Sequence, residues 1–247
     1  MTETPGITLA CFGLIGTLVS DDGALELAFA EAIATQGVVS GTSAYARAMA
    51  QVHRSRGQAP ADILRDVFPE NLPRAQAAHL AFDRSLAAAV GRRSVTPIAG
   101  AEKVLTELAE AGCRICVITS LPRRELTGLL RATRWRDLIT AALSAEDVPR
   151  GCPFPDLALT AMLRAGVGDV RETAVIHATA AGVECGRRAG ASLVVGVESG
   201  PHPASRLRAA GAAQVIHSVA ELPAVLGGAL GHATVPLQAP PSLRGSH

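Results

Sequence analysis

Hydrophobic positions along the chain follow two different rhythms. From about residue 98 onward, short apolar runs alternate with amphipathic helical stretches. The runs are "RICVIT" (114–119), "AALS" (141–144), "TAVIHA" (173–178), "SLVVGV" (192–197) and "AQVIHS" (213–218), and "ITLACF" (7–12) near the start is like them. Strands rich in Val, Ile and Ala, apolar on both faces and each followed by a helix, imply a doubly wound parallel sheet of the α/β class. The stretches 100–112, 156–166 and 182–191 between them are helical in pattern, with Gly112, Gly166 and Gly190 where helix C-caps belong.

Residues 20–95 read differently. "DDGALELAFAEAIATQG", "TSAYARAMAQVHRSRG", "APADILRDVF" and "NLPRAQAAHLAFDRSLAAAVG" succeed one another as helices, punctuated by Gly37, Gly57, Pro69, Pro73 and Gly91, with no strand candidate among them. A helical insertion over 20–95 is expected, dividing a core made of 1–19 and 96–228. The segment 229–247, with Pro236, Pro240 and Pro241, has no periodicity and is expected to lack fixed structure.

Composition narrows the field. The 247 residues are 48% hydrophobic and 18% charged, which describes a globular chain able to bury a sizeable core. A formal net charge of +1 without a long basic run gives no nucleic-acid surface. The uncharged run Gly6–Val19 is too short to span a bilayer, contains turn-formers and follows Glu3 rather than basic residues, so it reads as a buried strand and not a signal peptide. No membrane partner and a cytoplasmic location are the expectation. Cys11, Cys113, Cys116, Cys152 and Cys185 are odd in number and form no metal-binding pattern; they read as reduced, buried thiols.

The stretch "LACFGLIGTLVSDD" (9–22) has the shape of a loop that holds a phosphate and a metal, yet it has no carboxylate between Leu9 and Val19. With "VITSLPRREL", "SAEDVPRGCPFPD" and "AVIHATAAGVECGRRAGA", in this order and spacing, it resembles the haloacid dehalogenase superfamily of hydrolases, in the phosphonatase-like branch. The resemblance covers roughly residues 7–226 and implies a Rossmann-like core with a helical cap inserted after the first strand. It also implies a chemistry. A carboxylate attacks the substrate, a second carboxylate two residues on moves the leaving-group proton, a Lys or Arg balances charge, and acids after a later strand hold Mg²⁺.

At the matching positions this chain has Gly13 for the nucleophile, Ile15 for the acid/base, Cys152 for the basic residue, and Ala178 and Gly182 for the metal acids. Gly16-Thr17 and Gly186…Gly190 fix the register, so the five losses point to relaxed or redirected selection on the chemistry. Mg²⁺, expected for the family, has no ligands here. The branch's Schiff-base step needs a cap lysine, but Lys103 is the only lysine and lies beyond residue 95, so imine-based C–P cleavage is excluded.

The uncharged parts of the site survive: Gly16, Thr17, Thr119 and Ser120 are candidate ligand contacts, with Arg123 and Arg124 able to meet an anion. His177 replaces the family's glycine and is either a half-buried histidine bonded to backbone or a new base or ligand contact. Cys152 is a candidate nucleophile with no evident partner to activate it. Glu184 reads as a solvated helix position, Asp156 as a helix cap, and Asp21 and Asp22 as helix-start charges. Three functions stay open: a catalytically degenerate relative binding a small polar or anionic ligand in the cleft or a protein partner; a metal-independent enzyme using His177 or Cys152; and a hydrolase with substitute residues.

Overall fold

Along Leu9–Gly13 side chains alternate between two apolar surroundings, and this alternation organises the core. In the computed structural model, which describes residues 6–92, 96–227 and 230, Leu9 and Cys11 face one side of this strand (β1) and Ala10 and Phe12 the other, all fully buried. A strand apolar on both faces is stable only between two helical layers. Five more strands join it: β4 (Arg114–Ile118), β5 (Ala141–Leu143), β6 (Thr173–His177), β7 (Leu193–Val197) and β8 (Gln214–Ile216). They form a parallel sheet in the order β5-β4-β1-β6-β7-β8. All six lie where the apolar runs placed them.

One face packs on α5 (Ala101–Glu110), α6 (Arg123–Thr133) and α10 (Leu222–Leu226); the other packs on α7 (Asp156–Ala165) and α8 (Ala180–Ala189), with α9 (Ala204–Ala209) over β7. The chain leaves β1 toward β4 and β5 and later returns to β1's other side at β6. Ligands in open α/β sheets bind beside such a reversal, at the carboxyl ends of the strands.

Between β1 and β4, α1 (Ala24–Ala34), α2 (Ser43–Ser55), α3 (Pro60–Val67) and α4 (Leu72–Arg92) follow one another without a strand between them. They bury their own apolar centre, in which the tilted rings of Phe29 and Phe82 meet with centroids 4.4 Å apart. The helices are entered and left through a ribbon that the sequence pattern did not reveal: β2 (Val19–Ser20) pairs antiparallel with β3 (Thr96–Pro97). Two residues are too few to carry a period. Of the segment expected to lack structure, only Leu230 is described, bridging to Ile7; the rest lies outside the described residues. Among the described residues no helix is long and apolar enough to cross a membrane.

Candidate functional site

The carboxyl ends of β1, β4 and β6 meet the residues after α2 around a narrow cleft of about 60 Å³, walled by Ile15, Thr119, Ser120, His177 and Thr179 from the core and by Phe29, Arg56 and Gly57 from the helical insertion. The helices are held close by hydrogen bonds to the carbonyls that end α2. His202 Nε2–H donates to the His53 carbonyl at 2.9 Å. Arg206 donates to the Arg54 carbonyl, and the Ser120 hydroxyl to that of Gly57. Such donors satisfy the free carbonyls of a helix C-terminus, and the Arg206 cation also complements its dipole. Gly57 has φ +98, and a Cβ there would lie 2.2 Å from Thr179 Oγ1, so only glycine lets the insertion approach β6 this closely.

His177 dominates the centre. Its imidazole is enclosed between Gly13 and Gly182: a Cβ at position 13 would fall 2.8 Å from ring atoms Nε2 and Cδ2, and one at position 182 would fall 2.1 Å from Cγ. The ring therefore occupies the space a carboxylate at either position would need. Gly13, Gly182 and the histidine form a single steric unit. The backbone N–H of Thr179 donates to His177 Nδ1 at 3.2 Å, which places the neutral ring's proton on Nε2. Nε2 has no hydrogen-bond partner among the described residues, and the ring lines the cleft. Burial, aided by the neighbouring His202, pulls the imidazole down to about 4, so it is uncharged at neutral pH. The histidine is fully rather than half buried, and as a neutral Nε2–H it offers a donor to the cleft and no base.

Several sequence candidates lie elsewhere. Thr17 is fully buried, and its hydroxyl accepts the N–H of Ala178 at 3.0 Å, tying the first loop to β6 rather than facing the cleft. Gly16 (φ +76) packs against Gly200; its N–H donates to the Val19 carbonyl and its own carbonyl accepts from Ser199. The N–H groups of Gly16 to Val19 are all bonded within the loop and cradle no anion. Arg123 is paired with Asp147 on the far side of α6, outside the cleft. Cys152 is buried in the layer between the sheet and α7, where its hydrogen bond with Cys185 and burial push its thiol well above the ordinary range. Cys152 therefore lacks the accessible thiolate that a nucleophile requires. Thr119 and Ser120 do line the cleft, Thr119 Oγ1 accepting the Leu121 N–H at 3.2 Å. Asp156 starts α7 as expected but without a side-chain cap; it pairs with Arg150.

The residues present do not fit Mg²⁺. The ion needs several oxygen ligands, preferably anionic. Ile15 presents an apolar side chain to the cleft, Ala178 packs its methyl against the loop at Gly200, and His177 fills the space at Gly13 and Gly182. Among the described residues no cluster of three or more His, Cys, Asp or Glu could hold a metal.

Two contributors escaped the sequence reading. Thr179 caps α8, its hydroxyl accepting the Gly182 N–H at 3.2 Å, and orients His177. Arg56, at the end of α2, is a buried guanidinium lining the cleft. A faint signal existed: "RSRG" ends a helix with arginine beside a glycine turn, which can aim a side chain inward only if something receives it.

The comparisons with known proteins agree with this architecture. The model of the family described as haloacid dehalogenase-like hydrolase matches residues 14–196. Phosphonoacetaldehyde hydrolase of Bordetella pertussis is 35% identical over 95 residues, 38% of this chain and 34% of that protein; the enzyme of Bordetella avium is 33% identical over 94 residues, with the same shares of each. The match spans about a third of those relatives' length. A phosphonoacetaldehyde hydrolase-like protein from Oleispira antarctica superimposes with TM-score 0.80 at 22% identity, covering 92% of this chain and 93% of that one. A hydrolase from Pseudomonas syringae does so with TM-score 0.78 at 24% identity, covering 91% and 100%. With a family match over most of its length and a six-stranded parallel core to carry it, this chain belongs to the haloacid dehalogenase-like hydrolases.

Proposed function

We propose that this chain is a non-hydrolytic member of its family that binds a small ligand in the cleft between the sheet and the inserted helices. The observation that carries this reading is the His177 imidazole, whose ring lies within 2.8 Å of where a Cβ at Gly13 would stand and within 2.1 Å of one at Gly182. Losing charges by drift would leave space behind. Here the space is packed, and the glycines on either side are what make the packing possible. Attack, metal and leaving-group functions act as one unit in such enzymes, so losing their groups together removes the reaction rather than slowing it. A metal-independent enzyme based on His177 is less well supported, because its Nε2 carries the proton and a base would need the lone pair there. The opposite tautomer would forfeit the Thr179 N–H bond.

The experiment is an assay of phosphate-ester hydrolysis with and without Mg²⁺, on the wild type and on repaired variants. The wild type is expected to stay at background in both. Gly13→Asp with Ile15→Asp should also stay there, and adding Cys152→Lys, Ala178→Asp and Gly182→Asp should fail to fold well unless His177→Gly is included. Wild-type turnover that a chelator abolishes would overturn the reading.

A further inference from the structure

Arg56 is 8% exposed, and among the described residues its charge is met only by one long ion pair. Its nearest acid is Asp21, with Arg56 N–Asp21 Oδ2 3.9 Å apart, too far for a hydrogen bond. Asp21 Oδ2 is already engaged at the start of α1, accepting the Leu25 N–H at 3.0 Å. None of the guanidinium N–H donors bonds a described residue. Burial pulls Arg56 below the usual arginine value, against the opposing pull of Asp21 and Glu26, yet an arginine remains protonated at any physiological pH. A buried cation with five unused donors is costly unless an anion completes it.

Its placement is not accidental slack. The carbonyls of His53, Arg54 and Gly57 on either side are fastened to His202, Arg206 and Ser120, so the backbone that carries Arg56 is clamped onto the core. The side chain shares the cleft wall with the Nε2–H of His177 and the Ser120 hydroxyl. The rest of the lining includes apolar Ile15, Phe29, Ile63 and Leu121.

We propose that Arg56 anchors a small carboxylate in this cleft, gripping both oxygens with its planar fork while the ligand's short apolar body lies against Ile15, Phe29 and Ile63. The proposal rests on reading the cleft as a binding site and names what it binds. With the Asp21 carboxylate already 3.9 Å away, the single cation can take a ligand of one negative charge far better than a phosphate dianion, which would bring a further charge with neither metal nor lysine to answer it. The planar guanidinium pairs bidentately with a carboxylate, and His177 Nε2–H supplies one more donor. The cleft's size, a few water volumes, favours short chains.

The test is titration of the full chain at constant ionic strength with acetate, propionate, butyrate and inorganic phosphate, read by calorimetry and by thermal shift. Propionate or butyrate is expected to bind saturably and more tightly than phosphate. Arg56→Gln should weaken that binding by about tenfold or more while unfolding no earlier than wild type, since an ill-compensated buried charge has gone; a purely structural partner of Asp21 would instead cost stability. Arg56→Lys, a point charge without the fork, should bind at an intermediate level and covers the case in which Arg56→Gln does not fold. No binding of any carboxylate, tighter binding of phosphate, or undiminished binding by either variant would overturn the proposal. Mg²⁺-dependent ester hydrolysis would overturn the non-hydrolytic reading and leave these titrations to stand or fall by themselves.

Discussion

Helix α8 approaches strand β6 at two glycines one turn apart, and the two contacts differ in kind. Gly186 sits over Val175, where a Cβ would fall 2.6 Å from Val175 Cβ; Gly182 sits over His177, where it would fall 2.1 Å from Cγ. The first contact is apolar against apolar and serves only close packing of helix on sheet. The second has the same geometry at the edge of the cleft, and there the strand residue is an imidazole that reaches across to Gly13. Gly13 and Gly182 therefore border a packed side chain and not open space. One strand residue, the His177 imidazole, fills the room beside two glycines from other elements.

The largest expected effects break the two contacts separately. Gly182→Ala and Gly186→Ala should each destabilise the fold, Gly182→Ala by about 3 kcal/mol or more and Gly186→Ala by about 2–3 kcal/mol, as overpacking against unyielding side-chain roots. Adding His177→Ala should recover most of the Gly182→Ala loss and none of the Gly186→Ala loss. Urea denaturation of the four combinations measures the coupling. Equal rescue of both glycines would mean the contacts form one packing unit.

Proton uptake sharpens the difference between the imidazole and the valine. His177 binds a proton at about pH 4 in the folded chain, against 6.5 for an unhindered histidine. As pH falls, the unfolded chain therefore takes the proton first, so the histidine's contribution is complete above about pH 6.5 and drains away toward pH 4. By pH 5 the loss should reach about 2 kcal/mol. His202, also lowered chiefly by burial, acts in the same direction. Denaturation curves collected from pH 8 to pH 5 should flatten in His177→Asn, leaving the His202 share. An unchanged pH dependence would show that the ring is hydrated.

Thr179 joins both features, capping α8 below Gly182 and holding His177 Nδ1. Thr179→Ala should cost about 1 kcal/mol, the ordinary worth of such a cap, and Thr179→Ser should restore it. Since the backbone N–H still donates to Nδ1, nitrogen NMR of the histidine should report the proton on Nε2 in every variant. The smallest effect concerns Cys152, which should resist alkylation in the folded chain at pH 8 and react only on unfolding. Rapid labelling by iodoacetamide would contradict its burial between the sheet and α7.

The expected anion contacts at Gly16, Thr17 and Arg123 failed for related reasons. Each has a suitable type and a suitable position along the chain, yet each spends its polar groups internally: Thr17 on Ala178, Gly16 on Val19 and Ser199, Arg123 on Asp147. Hydrogen-bonding capacity is legible in a sequence; whether it is already used is not. Thr119, Ser120 and His177 line the cleft because they follow or end strands whose register the apolar pattern sets, and strand ends at a reversal point face it.

By itself, the sequence determined the six parallel strands, the run of helices between the first and second of them, and the absence of carboxylates and lysine where the hydrolase pattern needs them. These follow from periodicity and residue identity, which are local or can be read in order along the chain. Only the tertiary structure decided that Gly13, His177 and Gly182 are one packed unit, since they come from β1, β6 and α8 and meet through the crossing of a helix over a sheet. It alone also brought Arg56 out of a helix end and into the cleft, because that depends on carbonyls at residues 53, 54 and 57 finding donors more than sixty residues away. Burial, which gives both side chains their unusual chemistry, is a property of the neighbours that arrive and not of the residue that is buried.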